Sequence, residues 1–294
     1  MTAGERTIVI GASGQVGSSL LAQLGASGVG VSRNEADFSN RVDLVRALDV
    51  LGPVQAVINA AAYNNVDGAE SERGEAFLIN ADLPGWLAEW SAARAVPFVH
   101  YSTEYVFPDG NGVAWREGDS PAPLNVYGES KFAGERAVQR VNGDSIVIRT
   151  SWLYGTSKSN FVRRVLELAA LGKPLTMVGD QVGSPTDATD LARATLALLQ
   201  REDREEVMGN RILHLAGSGS VDRAEFSRAI IEASVHAGVI PHAIPVTETT
   251  TREFVAAARR PTNCVLDCAK ARALGIELPS WRESLTRVVK EMRV

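Results

Sequence analysis

Apolar and polar positions follow one pattern up to about Thr150 and a looser one after it. In the first part, short continuous apolar runs are separated by amphipathic stretches, which is typical of repeated βαβ units. Strands buried on both faces of a parallel sheet have such continuous apolar runs. Strands are predicted at Thr7–Ile10, Val29–Ser32, Ala56–Asn59, Pro97–Tyr101 and Ser145–Arg149, with helices between them.

Beyond Thr150 the pattern predicts four helices joined by shorter extended runs. The helices are expected near Asn160–Leu171, Thr189–Leu199, Asp222–Ala237 and Trp281–Met292. We expect Leu175–Val178 to extend the main sheet and the remainder to form a cap over its carboxyl edge. The predicted fold is therefore α/β: a Rossmann-type doubly wound parallel sheet with a smaller C-terminal α/β lobe. Residues 1–150 form the dinucleotide-binding domain, to which some later segments return, and residues 151–294 mainly form a substrate-binding lobe.

Composition narrows the class of protein. The 294 residues are 45% hydrophobic and 22% charged with a net charge of -5, and Lys and Arg form no basic stripe, so we expect no nucleic-acid partner. The apolar runs are too short to span a membrane, and the polar stretch Met1–Arg6 leaves no room for a signal peptide, so the cytoplasm is the expected location. The two cysteines, Cys264 and Cys268, are predicted to be reduced thiols, and no metal ligands are predicted; a structural magnesium ion has no support in the sequence.

A glycine loop follows the first strand directly and precedes a predicted helix. Glycines at Gly11, Gly14 and Gly17 suit a tight turn, a close backbone approach to a pyrophosphate and packing of helix on strand. The helix N-terminus would then face the anion. This order of strand, loop and helix predicts a dinucleotide site. Its candidate cofactor-binding residues are Gly11, Ser13, Gly14, Gln15, Val16 and Gly17.

The end of the second strand bears on the choice of cofactor. NAD-selective sites usually place Asp or Glu there, on the ribose 2′-hydroxyl, whereas this strand ends at Ser32-Arg33. Arg33 is suited to a 2′-phosphate, which favours NADPH. Asp37 lies beyond the usual position, and use of NADH as well stays open.

Three polar residues are predicted to form a catalytic set. Tyr127 and Lys131 lie four residues apart at the start of a predicted helix, and therefore on one face of it. A reductase needs a proton donor at the oxygen that gains charge as hydride arrives, and a neighbouring ammonium is expected to lower a tyrosine pKa toward neutrality. Thr103, at the carboxyl end of a strand, is expected to hydrogen-bond the same carbonyl oxygen. Lys131 would also hold the nicotinamide ribose.

At these residues the chain resembles the extended short-chain dehydrogenases and, within them, the dTDP-4-dehydrorhamnose reductases. The resemblance spans nearly the whole chain. The matching segments are Gly14–Gly17, Val57–Tyr63, Val66–Glu70, Ser102–Phe107, Tyr127–Lys131, Arg149–Gly155, Gly179–Asp190 and Arg260–Pro261. The resemblance implies reduction of the 4-keto group of a dTDP-linked 6-deoxyhexulose to give dTDP-L-rhamnose, with NADPH or NADH as hydride source and the tyrosine as acid.

The resemblance also assigns roles to individual positions. Gly11, Gln15 and Val16 would touch the cofactor's pyrophosphate. The other implied cofactor contacts are Asp37, Phe38 and Ser39 at the adenosine end and Ala60, Ala61 and Ala62 at the middle. The implied substrate residues are Asn64, Thr103, Glu104, Tyr105, Tyr127 and Trp152 around the sugar, with Gln181 and Arg260 toward the nucleotide.

Two departures from the family pattern leave the particular sugar open. Glu104 stands where the family usually has Asp, and Asn64 where it has Thr. The alternatives are another nucleotide-sugar 4-ketoreductase, a 4,6-dehydratase, and a non-catalytic NADP-binding subunit similar to that of methionine adenosyltransferase. The intact Thr103, Tyr127 and Lys131 disfavour the subunit, and a phenol at Tyr105 disfavours the dehydratase, which needs a base there. We expect a monomer or a homodimer with a small-molecule partner.

Overall fold

A computed structural model describes residues 6–110, 112–141, 143–157, 160–203 and 211–292. Residues 1–5, on which the prediction about the N-terminus mostly rests, lie outside this part. The strands are β1 Arg6–Ile10, β2 Gly28–Val31, β3 Val54–Asn59, β4 Phe98–Thr103, β5 Ser145–Thr150, β6 Leu153–Tyr154, β7 Leu175–Val178, β8 Val182–Gly183, β9 Thr186–Asp187, β10 Ile212–His214, β11 Val221–Asp222, β12 Val246–Thr249 and β13 Asn263–Cys264.

The α-helices are α1 Gln15–Leu24, α2 Arg41–Asp49, α3 Val66–Ala69, α4 Arg73–Phe77, α5 Leu83–Ala92, α6 Val126–Arg140, α7 Phe161–Ala170, α8 Ala188–Leu199, α9 Arg223–His236, α10 Ala269–Ala273 and α11 Trp281–Glu291. A π-helical turn at Leu78–Asp82 joins α4 to α5, and short 3₁₀ turns lie at Gly25–Ser27 and Glu104–Val106.

Six parallel strands form the central sheet, in the order β10-β5-β4-β3-β1-β2. The chain leaves β1 toward β2 on one side and continues from β3 on the other, so the order reverses between β1 and β3. Open α/β sheets bind ligands in the crevice at such a point. Helices α1 and α8 cover one face of the sheet and α2 and α5 the other. The predicted Rossmann-type α/β fold is confirmed.

Residues after about Thr150 mainly form a second lobe, which has its own hydrophobic core. This lobe packs α7, α9 and α11 around buried aromatic and aliphatic side chains such as Phe226 and Trp281. The prediction that Leu175–Val178 extends the main sheet is wrong. That strand, β7, pairs in parallel with β12 in a separate two-stranded sheet, because α9 packs against both strands and holds them in the second lobe. A different late segment, β10, joins the main sheet beside β5.

Helix α6, which carries Tyr127 and Lys131, is held against the sheet at both of its ends. Its first turn is capped by Asn125, whose side chain accepts a hydrogen bond from the Gly128 nitrogen at 2.8 Å. Further along, Glu135 and Arg149 of β5 form a fully buried, two-pronged ion pair at 2.7 and 2.8 Å. Removing one partner of such a pair leaves an uncompensated buried charge, so the pair holds α6 in one position.

Candidate active site

The glycine loop has the close backbone contacts that its sequence predicts. Gly11 has a φ of +78°, and a Cβ added to it would lie 2.5 Å from the Ala61 nitrogen. A Cβ on Gly17 would lie 2.2 Å from the Gly11 carbonyl oxygen, so α1 packs directly on the loop. Gly14 caps α1 without a side chain, and Ser13 is exposed. The first turn of α1 is therefore open toward an anion at the carboxyl edge of the sheet.

A cleft of about 410 Å³ opens at this edge, between the sheet and the second lobe. Twelve of the residues predicted for the site line it: Gln15, Val16, Ala60, Ala61, Ala62, Asn64, Thr103, Glu104, Tyr105, Tyr127, Lys131 and Trp152. They come from the end of β4, from the segments that follow β3, β4 and β5, and from the first two turns of α1 and α6. Parallel strands end at one edge, which is why these segments, distant in sequence, meet there.

Thr103, Tyr127 and Lys131 come together inside the cleft. Tyr127 lies in the first turn of α6 with its phenol beside the Thr103 hydroxyl. Its ring packs edge-on against Tyr105, with centroids 5.7 Å apart. Lys131, one turn later, is 2% exposed and donates a hydrogen bond to the Tyr101 carbonyl oxygen at 2.6 Å. The structure thus brings the three predicted residues together in one cleft.

The protonation states differ from those expected. Burial raises the pKa of Tyr127 above its ordinary value, the Glu104 carboxylate raises it further, and the Thr103 hydroxyl opposes them. The expectation that Lys131 depresses this pKa toward neutrality is therefore wrong for this structure. Burial in turn lowers the pKa of Lys131 to about 8, with Glu135 opposing. The phenol is held protonated, which is the form that a proton donor requires.

Glu104 is an acid in an unusual setting. It is 4% exposed and accepts a hydrogen bond from the Thr103 hydroxyl at 2.7 Å. Burial raises its pKa to about 7, and the Thr103 hydroxyl and the Arg223 charge oppose this shift. The side chain therefore titrates near neutral pH, directly beside the residues of the catalytic set.

Trp152 forms one wall of the cleft. Its backbone has a φ of +45°, which is rare for a bulky residue and costs of order 1–3 kcal/mol. The ring lies so close to the Gly183 backbone that a Cβ there would be 2.4 Å from Cε2. Trp152 is 8% exposed and contacts Phe226 of the second core as well as the cleft. The strained backbone thus positions an indole ring between the core and the site.

The sequence analysis missed seven cleft residues, of which Arg223 and Phe161 come from helices of the second lobe; the other five are Val66, Tyr101, Ser102, Thr150 and Leu153. Arg223 begins α9, and its guanidinium lies 3.6 Å from the Trp152 ring centroid and 4.8 Å from that of Phe161. Both Arg223 and Phe161 line the cleft. Each lies at the start of a correctly predicted helix, but no local pattern indicates that these helix ends reach the carboxyl edge of a sheet formed by the first part of the chain.

Gln181 and Arg260 lie behind the cleft wall rather than on it. Gln181 is 5% exposed and donates to the Thr251 hydroxyl at 3.1 Å. Arg260 forms an ion pair with Asp67 at 2.7 Å and lies next to Tyr105. Their side chains already have protein partners, so the structure does not place them among the residues that line the cleft.

The adenosine end predicted from the sequence lies after β2. Arg33 is exposed there, and the Asp37 carboxylate accepts hydrogen bonds from the Ser39 nitrogen and hydroxyl at 2.9 and 2.6 Å. The Phe38 side chain is in the core, so it does not face a ligand.

A carboxylate also stands near the end of β2, where the sequence analysis found none. Glu35 accepts hydrogen bonds from the Ser32 nitrogen and hydroxyl at 2.7 and 2.6 Å, and these bonds lower its pKa. The expectation of a missing acidic group near this strand end is therefore wrong. The reason is the tight turn after Val31, which brings a residue three positions beyond Ser32 back to it.

No three His, Cys, Asp or Glu side chains among the described residues are grouped so as to hold a metal ion. In the same part of the chain, no helix has both the length and the apolar character needed to cross a membrane. Cys264 and Cys268 are free thiols, as predicted.

The fold and the cleft together define a class of protein. A glycine loop at the switch point of a parallel sheet, with Thr, Tyr and Lys at its carboxyl edge, is the arrangement of an NAD(P)-dependent oxidoreductase of the short-chain dehydrogenase type.

Comparison with known proteins shows the family. Residues 5–294 match the family described as RmlD substrate binding domain, and the chain belongs to this family. A dTDP-4-dehydrorhamnose reductase from Sinorhizobium fredii is 37% identical over 290 residues, covering 97% of this chain and 96% of that protein. The Escherichia coli K12 protein of the same name is 34% identical, with 97% of each chain covered.

Solved structures agree with the family assignment. The chain is 32% identical to a dTDP-4-dehydrorhamnose reductase from Bacillus anthracis in complex with NADP, with a TM-score of 0.89 and 98% and 99% of the two chains covered. A UDP-glucose 4-epimerase from Thermus thermophilus, 19% identical with a TM-score of 0.79 over 97% and 98% of the chains, shares the fold. The resemblance inferred from the sequence is confirmed.

Proposed function

We propose that this chain reduces the 4-keto group of dTDP-4-dehydrorhamnose to give dTDP-L-rhamnose, with NADPH as the preferred cofactor. The observation that carries the proposal is the meeting of Thr103, Tyr127 and Lys131 in one cleft beside the glycine loop. Membership of a family whose relatives are named dTDP-4-dehydrorhamnose reductase supports the substrate. Residues 1–150 would mainly hold the cofactor and residues 151–294 the nucleotide sugar.

The residues present fit a dinucleotide. Any side chain at Gly11 or Gly17 would fill the space in which the loop packs, and the first turn of α1 presents its N–H groups to an anion. Gln15 and Val16 would lie at the pyrophosphate, and Ala60, Ala61 and Ala62 along the middle of the cofactor. When bound, the cofactor supplies the hydride that adds to the carbonyl carbon.

The side chains of the protein supply the proton and the positioning. Tyr127 donates its phenolic proton to the carbonyl oxygen as that oxygen gains negative charge. Thr103 lies beside the phenol, and its hydroxyl, which donates to Glu104 in this structure, would turn to donate to the same carbonyl oxygen and hold it at the proton donor. Lys131, fixed by the Tyr101 carbonyl, would hold the ribose of the bound cofactor. Trp152 would cover one face of the sugar ring.

Two features after β2 bear on the cofactor preference. Arg33 is exposed and suited to a 2′-phosphate, whereas Glu35 is suited to a 2′-hydroxyl. Because a charged Arg attracts the phosphate while the nearby carboxylate opposes it, we propose a modest preference for NADPH with measurable use of NADH. The Bacillus anthracis relative is in complex with NADP, which supports the preference for NADPH.

A 4,6-dehydratase is the second candidate, and Glu104 is the observation that favours it. Its carboxyl group, with a pKa of about 7, has the properties of a general acid at neutral pH. The position after it, however, holds Tyr105, whose pKa is raised by burial and which therefore makes a poor base. Reduction needs no such base, so the cleft fits reduction better.

Product analysis tests the proposal. The purified chain is incubated with the dTDP-linked 4-keto-6-deoxy-L-hexulose and NADPH, and NADPH absorbance and the NMR spectrum of the sugar are followed. We expect stoichiometric NADPH consumption and a product with the rhamno configuration. An epimeric alcohol would identify another 4-ketoreductase. Loss of water from a dTDP-linked hexose that still carries its 4- and 6-hydroxyl groups, with no net consumption of cofactor, would indicate a dehydratase, and no turnover of any of these sugars would indicate a binding subunit. The cytoplasm and a monomer or homodimer remain the proposed setting.

A further inference from the structure

Arg223 occupies a position in the cleft that the catalytic scheme does not use. It is the first residue of α9, directly after Asp222, whose side chain caps the helix by accepting from the Glu225 nitrogen at 2.8 Å. Its own backbone nitrogen donates to the Gln181 carbonyl oxygen at 3.1 Å. The guanidinium lies over the Trp152 and Phe161 rings, which fix its plane. The side chain is thus held rigidly at the cleft surface.

The charge of Arg223 has no close ionic partner in the described residues. Two other arginines of the later residues, by comparison, form ion pairs: Arg260 with Asp67 and Arg287 with Asp187, both at 2.7 Å. Within the described part of the chain, the guanidinium of Arg223 makes no salt bridge within 4.0 Å and no hydrogen bond. Glu104 is the nearby acid, and burial keeps it largely protonated below about pH 7. The Arg223 side chain is partly buried, so its charge has lost part of its hydration without gaining a hydrogen-bonding partner, and a ligand anion would offset that cost.

The chemistry of a guanidinium selects the kind of ligand. Its planar fork of N–H donors matches phosphate oxygens in a two-pronged geometry. Of the residues that line the cleft, Lys131 and Arg223 are the two basic side chains, and Lys131 is engaged at the reacting end by the Tyr101 carbonyl. A nucleotide sugar brings two phosphate groups into the site, attached to the sugar carbon opposite its keto group.

We propose that Arg223 binds the diphosphate of the nucleotide-sugar substrate and thereby orients the keto group toward Tyr127. This inference rests on the proposed function, because it takes the substrate to be a nucleotide sugar. It makes Arg223 a positioning residue for affinity and specificity, and it gives the stacked Trp152 a second task, which is to hold that guanidinium in place. Part of the substrate recognition therefore comes from the first turn of α9.

Binding of dTDP, which carries the diphosphate but no sugar, separates this role from contact with the sugar. Titration calorimetry on NADP⁺-saturated protein compares wild type with Arg223→Met and Arg223→Lys. We expect Arg223→Met to weaken dTDP binding roughly 10- to 100-fold, as for the loss of a charge-assisted pair, and Arg223→Lys to weaken it by less because the charge remains. Arg228→Met is the matched control: Arg228 lies on the same helix, is exposed and pairs with Glu248 at 2.6 Å, so dTDP affinity should not change.

The outcomes divide clearly. Unchanged dTDP affinity in Arg223→Met, together with a raised KM for the keto sugar, would mean that Arg223 contacts the sugar, and the inference is overturned. Weaker dTDP binding by Arg223→Met, together with a rise in the KM for the dTDP-sugar at nearly constant kcat and with NADP⁺ affinity and melting temperature at wild-type values, supports it. If Arg223→Met fails to fold, Arg223→Lys still decides, because it keeps the stem and the charge. If the wild-type protein binds no dTDP, both this inference and the proposed function are overturned. If the wild-type protein reduces the keto sugar and the Arg223 variants bind dTDP as tightly as it does, this inference alone is overturned.

Discussion

Replacing Tyr127 with phenylalanine removes the hydroxyl group on which the proposed reaction depends and little else. The ring packs edge-on against Tyr105 at 5.7 Å, and a phenylalanine ring preserves that contact. The phenol lies beside Thr103, so the substitution removes one polar neighbour, at a cost of about 1 kcal/mol in the free energy of unfolding. The fold and cofactor binding should therefore persist.

The expected effect on the reaction is far larger. A positioned general acid contributes roughly 10²–10⁴-fold, so kcat for keto-sugar reduction should fall by that factor. The assay is NADPH oxidation under saturating substrate, with NADPH affinity measured by fluorescence titration. Tyr154→Phe is the control, because Tyr154 is a fully buried tyrosine whose hydroxyl donates to the Trp281 carbonyl oxygen at 3.3 Å, away from the cleft lining. That variant should lose stability and keep its kcat.

The result that would refute the assignment is specific. The smallest expected loss in kcat is about 100-fold. If Tyr127→Phe keeps more than about a tenth of the wild-type kcat, the loss is smaller than this, and another group donates the proton. Glu104, which titrates near neutrality and lies beside Thr103, would be the first residue to test in that case.

Three further predictions concern the groups around the phenol and at the adenosine end. Lys131→Met should lower kcat and NADPH affinity together, each on the order of tenfold, because it removes a charge and a ribose contact at once; steady-state kinetics and NADPH titration measure the two, and loss of only one would contradict the dual role. The Glu104 carboxyl has a pKa of 4.5 when unfolded and about 7 when folded, so it destabilises the native state increasingly from pH 4.5 to about pH 7. Glu104→Gln should consequently raise the free energy of unfolding above pH 7, relative to its effect at pH 4.5, by about 3 kcal/mol, and urea titrations showing the same effect at both pH values would disprove the shift. Arg33→Ala should raise the KM for NADPH roughly tenfold while leaving that for NADH within about twofold, and an equal loss with both cofactors would rule out contact with the 2′-phosphate.

Local sequence was sufficient wherever the geometry depends on near neighbours. The strand, glycine loop and helix from Arg6 to Leu24 could be predicted because Gly11 and Gly17 are required by contacts within one turn and one strand end. The pairing of Tyr127 with Lys131 was equally predictable, since four residues make about one helical turn. The strand ends that carry Thr103 and Ala60 could be placed at one edge because parallel strands share their direction.

Residues whose role depends on the second lobe could not be found this way. Leu175–Val178 has an ordinary strand pattern, which does not indicate the strand with which it pairs. It pairs with β12 rather than with the main sheet because α9 packs on both strands. Arg223 reaches the cleft only because α9 begins where the two lobes meet, so its spacing to Trp152 in the sequence carries no signal.

The sequence by itself determined the class of fold, the dinucleotide loop and the three residues of the catalytic set, because helical periodicity, strand direction and backbone sterics act over short stretches of chain. Tertiary structure alone decided the protonation of Tyr127 and Glu104 and the unpaired cation at Arg223. These properties depend on desolvation and on charges brought close by folding, and the free energy of a charge is set by its surroundings in three dimensions rather than by its neighbours along the chain.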